Sequence, residues 1–482
     1  MTPQEVLEST FGHPSFRGQQ ATVVDQTMAG HHALVIMPTG MGKSLCYQVP
    51  ALLLADTAKK RSLTLVISPL IALMKDQVES LVAKDVAATF INSSLSKKER
   101  ESRYATVGTG HYDLLYVTPE RFRKPEFLQV LAQRNVRLLA IDEAHCVSEW
   151  GHDFRPDYTR LDEIRELLGN PTTLALTATA TPEVQADIIK QIGLTPDQMP
   201  LFHEGINRPN LKLSVERVWG DDEKIARICQ AAKQSLNGGS GIVYFTLIKT
   251  LTFFSEQLTQ HGIAHTCYHG SLDRQQRRQV QDAFMQSKTP LVLATNAFGM
   301  GIDKQDIRFV LHADVPGSME SYYQEIGRAG RDGLPAECTL LYDEHDLTTQ
   351  MRFIESSNPH AEFYQRVYDL LARNQEQVQA YGFEWVEEKI YGRKSRDFRL
   401  ETVLSMLDRY GVIERGENDD LLQVLTDLAP ALTNQDRLDQ KLQRDRQKLY
   451  TLVEYANCES DHKAFIHDYF GLPYPTNASE SS

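Results

Sequence analysis

LLAIDEAHCVSEWGHDFRPDY, residues 138–158, decides how this chain is read. Leu138 to Ile141 form an apolar run that predicts a strand buried on both faces. Asp142 and Glu143 follow at its carboxyl end, the edge at which open α/β sheets bind ligands. Past Cys146 the chemistry changes. Trp150, His152, Phe154 and Arg155 make an aromatic and cationic loop suited to stacking on bases and holding phosphates. Acids able to handle a metal thus share one segment with a stacking loop. That juxtaposition predicts a place where nucleotide hydrolysis meets polynucleotide binding.

Similar apolar runs recur on either side. ALVIMP (33–38), LTLVISP (63–69), DLLYVTPE (113–120) and TLALTAT (173–179) alternate with helical patterns. GIVYF (241–245), LVLAT (291–295), FVLHADVP (309–316) and CTLLYD (338–343) do the same further on. Such alternation predicts an α/β fold with two parallel sheets, each covered by helices on both faces. Nearly every run ends in Pro, Ser, Thr or an acid, so polar chemistry collects at one edge of each sheet. TPDQMP and NRPN break the pattern near 195–210, which predicts a first domain over 1–205 and a second over 206–345.

From about 346 the strand signal fades, and 346–482 read as a mostly helical accessory region. Phe363–Asn374 and Leu432–Cys458 are expected helices, and GENDD (416–420) is an expected turn. An amphipathic helix over Phe398–Tyr410 followed by GVIER predicts a winged helix at about 360–420. Lys389, Arg393, Lys394, Arg396 and Arg399 form a local basic cluster there. It reads either as a duplex DNA contact or as a solvated helix face.

With 482 residues, 41% hydrophobic and 24% charged, the chain can bury large cores in about three domains. A net charge of −13 excludes a wholly basic DNA coat, so nucleic-acid binding must use local patches. The cysteines stand singly at 46, 146, 229, 267, 338 and 458. With no CxxC pair, neither a disulfide framework nor a CxxC-type zinc site is expected. The start, MTPQEVLEST, has no signal-peptide pattern. The longest apolar run, Leu63 to Met74, is too short to span a bilayer. These readings predict a cytoplasmic protein that does not enter a membrane.

Between ALVIM and a helix near Lys43 lies PTGMGKS (38–44). Backbone N–H groups around Thr39, Gly40 and Gly42 can surround a triphosphate, and the helix N-terminus adds its dipole. Lys43 would reach the β/γ-phosphates and Ser44 would hold Mg²⁺. The strict spacing wants glycine where Met37 stands, so the loop alone could be a glycine turn closing a strand. The acids weigh against that. Asp142 can hold Mg²⁺ through water, and Glu143 can orient and deprotonate the attacking water. Two alternatives remain for the acids. One is helix capping; the other is a zinc cluster of Asp142, Glu143, His145, Cys146 and His152. The cluster lacks an HExxH helix and tetrahedral spacing.

QEIGRAGR (324–331) begins at Gln324 in the second domain. On a helix, Arg328 and Arg331 would share a face and could clamp a γ-phosphate as an arginine finger. The bland alternative is a solvated basic face. A nucleotide held between two domains would make their closure depend on ATP, the physical basis of a motor.

On these motifs, over roughly residues 10–345, the chain resembles the RecQ-type helicases of superfamily 2. MPTGMGKS resembles motif I, SPLIALMKDQ (68–77) motif Ia, DEAH (142–145) motif II and TATAT (177–181) motif III. ATNAFGMGIDK (294–304) resembles motif V and YYQEIGRAGRDG (322–333) motif VI. VSEWGHDFRPDY (147–158) resembles the aromatic-rich loop of RecQ proteins, and FGHPSFRGQQ (11–20) the adenine-binding motif.

The resemblance implies tandem RecA-like domains, with ATP and Mg²⁺ as cofactors. It implies 3′→5′ unwinding of DNA in recombination and repair, by a cytoplasmic, chromosome-associated enzyme. Its partners would be single-stranded and duplex DNA, with repair or single-strand-binding proteins. It makes Arg17 and Gln20 the adenine contacts and Arg331 the finger. Trp150, Phe154 and Arg155 would couple DNA contact to hydrolysis; read alone, Trp150 could equally be a core or interface residue.

Two departures are visible. Phe245-Thr246-Leu247-Ile248 replaces the family's Cys-x-Ser-Arg of motif IV. Cys458 stands where a four-cysteine zinc module would begin, but the later CxxCxxC is absent, so no zinc is expected. Cys458, His462 and His467 would lack a fourth metal ligand. Two other functions compete: an RNA helicase of the same superfamily, and a junction-binding protein that uses ATP only to change shape.

Overall fold

Apolar runs without polar alternation become strands covered on both faces. The computed structural model describes residues 1–474 apart from 56–61, 70, 149–155, 236–238, 300, 301, 303, 393–396 and 416–421. In it the runs assemble into a seven-stranded and a six-stranded sheet. The first holds β1 (Ala33–Ile36), β2 (Leu63–Ile67), β3 (Ala88–Ile91), β4 (Leu114–Val117), β5 (Val136–Asp142), β6 (Thr172–Thr177) and β7 (Leu201–His203). Their order is β3-β4-β2-β5-β6-β1-β7, all parallel. The second holds β8 (Leu211–Arg217), β9 (Ser240–Tyr244), β10 (Thr266–Tyr268), β11 (Leu291–Ala294), β12 (Ile307–His312) and β13 (Ala336–Tyr342). Their order is β10-β11-β9-β12-β13-β8, again parallel.

Each sheet separates two apolar layers. Along β5, Leu139 and Ile141 face one layer while Leu138 and Ala140 face the other. Each such fully buried leucine or isoleucine contributes roughly 1.5–3 kcal/mol relative to exposure. The order β5-β6-β1 sets the ends of the acid-bearing strand, the TATAT strand and the phosphate-loop strand side by side. That adjacency builds the site.

After the second sheet come helices Asp346–Ser357, Ala361–Arg373, Gln375–Tyr391 and Arg399–Arg409. Gly382, at φ 64° and ψ −154°, breaks the third of these. An antiparallel pair follows, β14 (Ile413–Arg415) and β15 (Leu422–Val424). Val367, Leu371, Val403, Leu404, Leu407, Ile413 and Leu422 give this module its own core. The GENDD turn and Arg393, Lys394 and Arg396 lie outside the described residues. The rest of the basic cluster is engaged internally. Arg399 pairs with Asp397 at 2.7 Å and lies 5.1 Å over Phe363, and Lys389 lies 5.6 Å over Trp385.

The helix Arg399–Arg409, within the stretch expected to form a winged helix, packs against the first domain. Arg123 bonds Asp157 and the main-chain carbonyls of Asp408 and Arg409. Lys124 pairs with Glu414 at 3.2 Å. A cavity of about 1300 Å³ lies between the two surfaces. Two last helices, Gln435–Ala456 and His462–Tyr469, fold back onto the second sheet. There Leu452, Tyr455, Ile466 and Phe470 join Tyr322, Tyr323 and Ile326 in one core. Among the described residues, no helix is long and apolar enough to cross a membrane.

Candidate active site

The phosphate loop leaves β1 at Met37, whose N–H donates to Thr177 O at 3.1 Å, tying the loop to β6. Gly40 and Gly42 have φ of +83° and +80°, left-handed values that favour glycine. They turn the chain into the helix Leu45–Ala55, whose first turn hangs on Ser44 O through the N–H groups of Tyr47 and Gln48. Lys43 folds back over this loop, its Nζ donating to Met37 O at 3.0 Å. Burial pushes its ammonium pKa down, Glu143 and Asp142 pull it up, and Arg331 pushes it further down.

Gln20 is buried beneath the loop. Its Nε2 donates to Met41 O at 2.6 Å and Gly42 O at 3.0 Å, and its Oε1 accepts from Arg17 N at 2.8 Å. Thus the residue expected at the adenine also holds the phosphate loop by its main chain. The Arg17 side chain is exposed beside it.

Asp142 ends β5 and is buried. Burial first, then Glu143, push its carboxyl up to about 7, against the pull of Lys43. Glu143 turns away at φ +51°, a strained value for a residue with a Cβ. Its N–H donates to Asp142 Oδ1 at 3.1 Å. Its carboxylate lies 3.3 Å from His145 Nδ1, which also lies 3.0 Å from Thr177 Oγ1. Thr177 Oγ1 in turn donates to Thr179 O at 3.1 Å. The DEAH and TATAT residues are therefore one bonded group. A serine hydroxyl and a carboxylate oxygen are hard donors of the kind Mg²⁺ takes, so Ser44 and Asp142 fit that ion.

The second sheet supplies the facing half. Ser318 caps the helix Met319–Ile326 by accepting from Ser321 N at 3.2 Å. That helix stops before Gly327, so Arg328 and Arg331 do not share a helical face as expected. Gly327 still has helical dihedrals, φ −62° and ψ −10°, and the chain turns into a loop that reaches φ +56° at Gly330. The two arginines consequently go to different places. Arg328 is buried inside the second domain, bonded to Gly299 O and the Tyr244 hydroxyl.

Arg331 crosses the cleft. A Cβ on Gly40 would stand only 3.2 Å from its Cδ, and its Nη1 donates to Ile302 O at 2.8 Å. Two further contacts join the halves. Gln324 Nε2 donates to Thr179 Oγ1 at 3.3 Å, and Thr39 Oγ1 reaches Gly327 O at 3.4 Å. Thr39, Gly40, Lys43, Asp142, Glu143, Gln324 and Arg331 thus meet at one cleft, and Arg328 stands behind it.

Trp150, His152, Phe154 and Arg155 lie outside the described residues. The described residues on either side are held by side-chain bonds. Ser148 Oγ donates to Asp187 Oδ2 at 2.7 Å on one side, and Asp157 bonds Arg123 on the other. Cys458, His462 and His467 do not converge. Cys458 Sγ lies 2.8 Å from Ser460 Oγ, the His462 ring lies 4.8 Å from that of Tyr455, and His467 Nδ1 lies 3.0 Å from Pro473 O. Among the described residues no group of His, Cys, Asp and Glu has a metal-binding arrangement.

Arg208 and Asn210 were legible only as part of a pattern break, NRPN. In the fold they hold the carbonyls of the arginine loop. An arginine and an asparagine flanking a proline at a domain joint were the available signal.

The DEAD/DEAH box helicase family model matches residues 17–188, and the helicase conserved C-terminal domain model matches 223–333. The ATP-dependent DNA helicase RecQ of Bacillus subtilis is 44% identical over 356 residues, covering 73% of this chain and 58% of that protein. The probable ATP-dependent DNA helicase RecS of the same organism is 38% identical over 376 residues, covering 77% and 73%. The chain spans only 53–58% of the length of the RecQ relatives from Bacillus subtilis, Pasteurella multocida and Haemophilus influenzae. Among solved structures, the DUF1998 helicase MrfA bound to DNA and AMPPNP aligns at TM-score 0.60 and 17% identity, over 89% of this chain and 62% of that one. Saccharomyces cerevisiae Dbp5 bound to RNA and ADP BeF3 aligns at 0.57 and 16%, over 72% and 90%. At those identities the likeness concerns the fold alone.

Proposed function

The chain belongs to the RecQ family of DEAD/DEAH-box helicases, and from that premise we propose that it is an ATP-dependent 3′→5′ DNA helicase of recombination and repair. ATP hydrolysis between the two RecA-like domains drives translocation on single-stranded DNA. The observation that carries this reading is the crossing of Arg331 from the second domain to Gly40 of the phosphate loop in the first. A group that completes the site only when the domains meet makes turnover depend on closure.

In this reading Thr39, Gly40, Gly42 and Lys43 hold the phosphates, and Arg17 and Gln20 face the adenine. Ser44 and Asp142 hold Mg²⁺, which when bound neutralises charge on the phosphates. Glu143 orients the attacking water and takes its proton, with His145 and Thr177 fixing the carboxylate. Arg331 stabilises charge on the transferred phosphoryl group, Arg328 holds the loop's inner side, and Gln324 links it to the TATAT segment. Trp150, His152, Phe154 and Arg155 contact the DNA strand, and their pinned flanks carry that contact to Asp187 and Arg123.

Residues 1–205 and 206–345 act as the motor, and 346–482, with a winged helix at about 360–420, as its accessory part. Single-stranded and duplex DNA are the partners, joined by repair or single-strand-binding proteins, on the chromosome in the cytoplasm. No zinc is needed; about one zinc per chain by elemental analysis would overturn that point.

Strand displacement on 3′- and 5′-tailed DNA and RNA duplexes with ATP tests the reading. Release is expected from 3′-tailed DNA. Release from RNA alone would make the protein an RNA helicase. DNA-stimulated ATP turnover with no release would make it an ATP-driven remodeller.

A further inference from the structure

We propose that Arg208, with Asn210 beside it, is the positioning residue that sets Arg331 against the nucleotide. Both lie on the segment joining β7 to β8, the chain that must flex when the two domains move. Arg208 Nη1 donates to Gly327 O at 3.2 Å, and its Nη2 donates to Ala329 O at 2.6 Å and Gly330 O at 3.0 Å. Asn210 Nδ2 donates to Gly330 O at 2.8 Å and Leu334 O at 2.9 Å. Asn210 fits so closely that a Cβ on Gly330 would collide with its Nδ2.

The last carbonyls of a helix have no partner within it, and the helix dipole leaves that end negative. Behind the helix Met319–Ile326, Arg208 supplies a cation with several donors in one plane. The result is a loop whose main chain is held from the joint rather than from its own domain alone. Gly327 O is the meeting point. It accepts from Arg208 and also lies 3.4 Å from Thr39 Oγ1 of the phosphate loop. Joint, phosphate loop and arginine loop therefore share one carbonyl. A change in the joint as the domains close is transmitted to the loop from which Arg331 projects. Arg208 itself touches the loop's main chain and stands behind the reacting groups.

This inference rests on the reading of Arg331 as the finger, so the test contains that variant. In the full chain, DNA-stimulated ATP turnover and fluorescent ATP-analogue binding are measured for Arg208→Ala, Arg208→Lys, Asn210→Ala, Arg331→Ala and the double variant Arg208→Ala/Arg331→Ala. Arg331→Ala is expected to lower kcat by about 10³-fold. Arg208→Ala is expected to lower kcat by about 10²-fold through misplacement, with analogue affinity within about twofold of the parent. The double variant is expected to match Arg331→Ala, because two residues acting through one group are not additive. Arg208→Lys should recover part of the loss, since an ammonium cannot serve all three carbonyls in one plane.

Normal kcat in Arg208→Ala, or a loss that multiplies onto that of Arg331→Ala, overturns the inference while leaving the finger intact. Normal turnover in Arg331→Ala overturns the finger reading and this inference with it. If Arg208→Ala fails to fold, Arg208→Lys and Asn210→Ala run the same cycle, and additivity in either is equally fatal.

Discussion

Lys43 and Asp142 act on each other electrostatically in the cleft, and burial works on both. It pushes the lysine down and the aspartate up to about 7, so each charge depends on the other and on what binds between them. Removing the cation should be the more damaging change. Lys43→Ala is expected to lower ATP turnover by more than about 10²-fold while DNA binding survives, as read by steady-state ATPase and fluorescence anisotropy. Unchanged turnover would remove this loop from the site. Asp142 gives a pH signature. Its folded pKa is raised, so below about pH 7 the carboxyl holds a proton that Mg²⁺ must displace. Affinity for Mg²⁺-nucleotide should therefore fall as pH drops from 8 to 6, with proton release on binding. Calorimetry in buffers of different ionisation heat reads that release, and a null result would mean Asp142 is already ionised.

The helix Met319–Ile326 is held from behind by the chain's last two helices. Its Tyr322 hydroxyl lies 3.0 Å from that of Tyr455, the two rings being 5.1 Å apart. The stack continues from Tyr322 to His312 at 5.0 Å and from His312 to Tyr244 at 5.3 Å. Tyr244 OH then donates to Phe298 O at 3.1 Å, next to the Gly299 carbonyl that holds Arg328. Tyr469 adds a hydrogen bond to Glu320 at 2.8 Å. Burial of the two hydroxyls is tolerated because one donates to the other. Tyr455→Phe should thus destabilise the protein by about 1–3 kcal/mol, since it leaves the Tyr322 hydroxyl unpaired. The double variant Tyr322→Phe/Tyr455→Phe should lie closer to the parent than either single change. Denaturant melts decide this, and simple additivity would mean that the hydroxyls do not interact.

Across the whole molecule, the accessory module is fastened to the first sheet's domain at Arg123. That guanidinium serves the carboxylate of Asp157, at the end of the aromatic-rich segment, and two carbonyls at the carboxyl end of Arg399–Arg409. A cation is well placed at a helix carboxyl end. Arg123→Ala should weaken this docking by about 2 kcal/mol, the scale of hydrogen bonds to a charged group. Hydrogen exchange over 399–409 should rise while nucleotide affinity stays unchanged. Unaltered exchange would mean that the module is held elsewhere, for instance by Lys124 and Glu414.

The sequence by itself determined two parallel sheets, because strands covered on both faces must be continuously apolar and must end in polar residues at one edge. β3, β7, β8 and β10 escaped that reading: all four are edge strands, β7, β8 and β10 are only partly buried, and β3, though buried, is four residues interrupted by Thr89. The proposed phosphate loop and acid pair stand out in the sequence because their chemistry is local, set by residues adjacent in the chain. The cleft was not local. Only the tertiary structure separated Arg328 from Arg331, since the helix ends at Ile326 and the turn with Gly330 at φ +56°, rather than helical spacing, governs the residues after it. Only the tertiary structure brought Arg208, a residue on the joint, to the carbonyls of Gly327, Ala329 and Gly330. Hydrogen bonds between segments so distant in sequence leave no periodicity or spacing to read, so where Arg331 lies follows from packing alone.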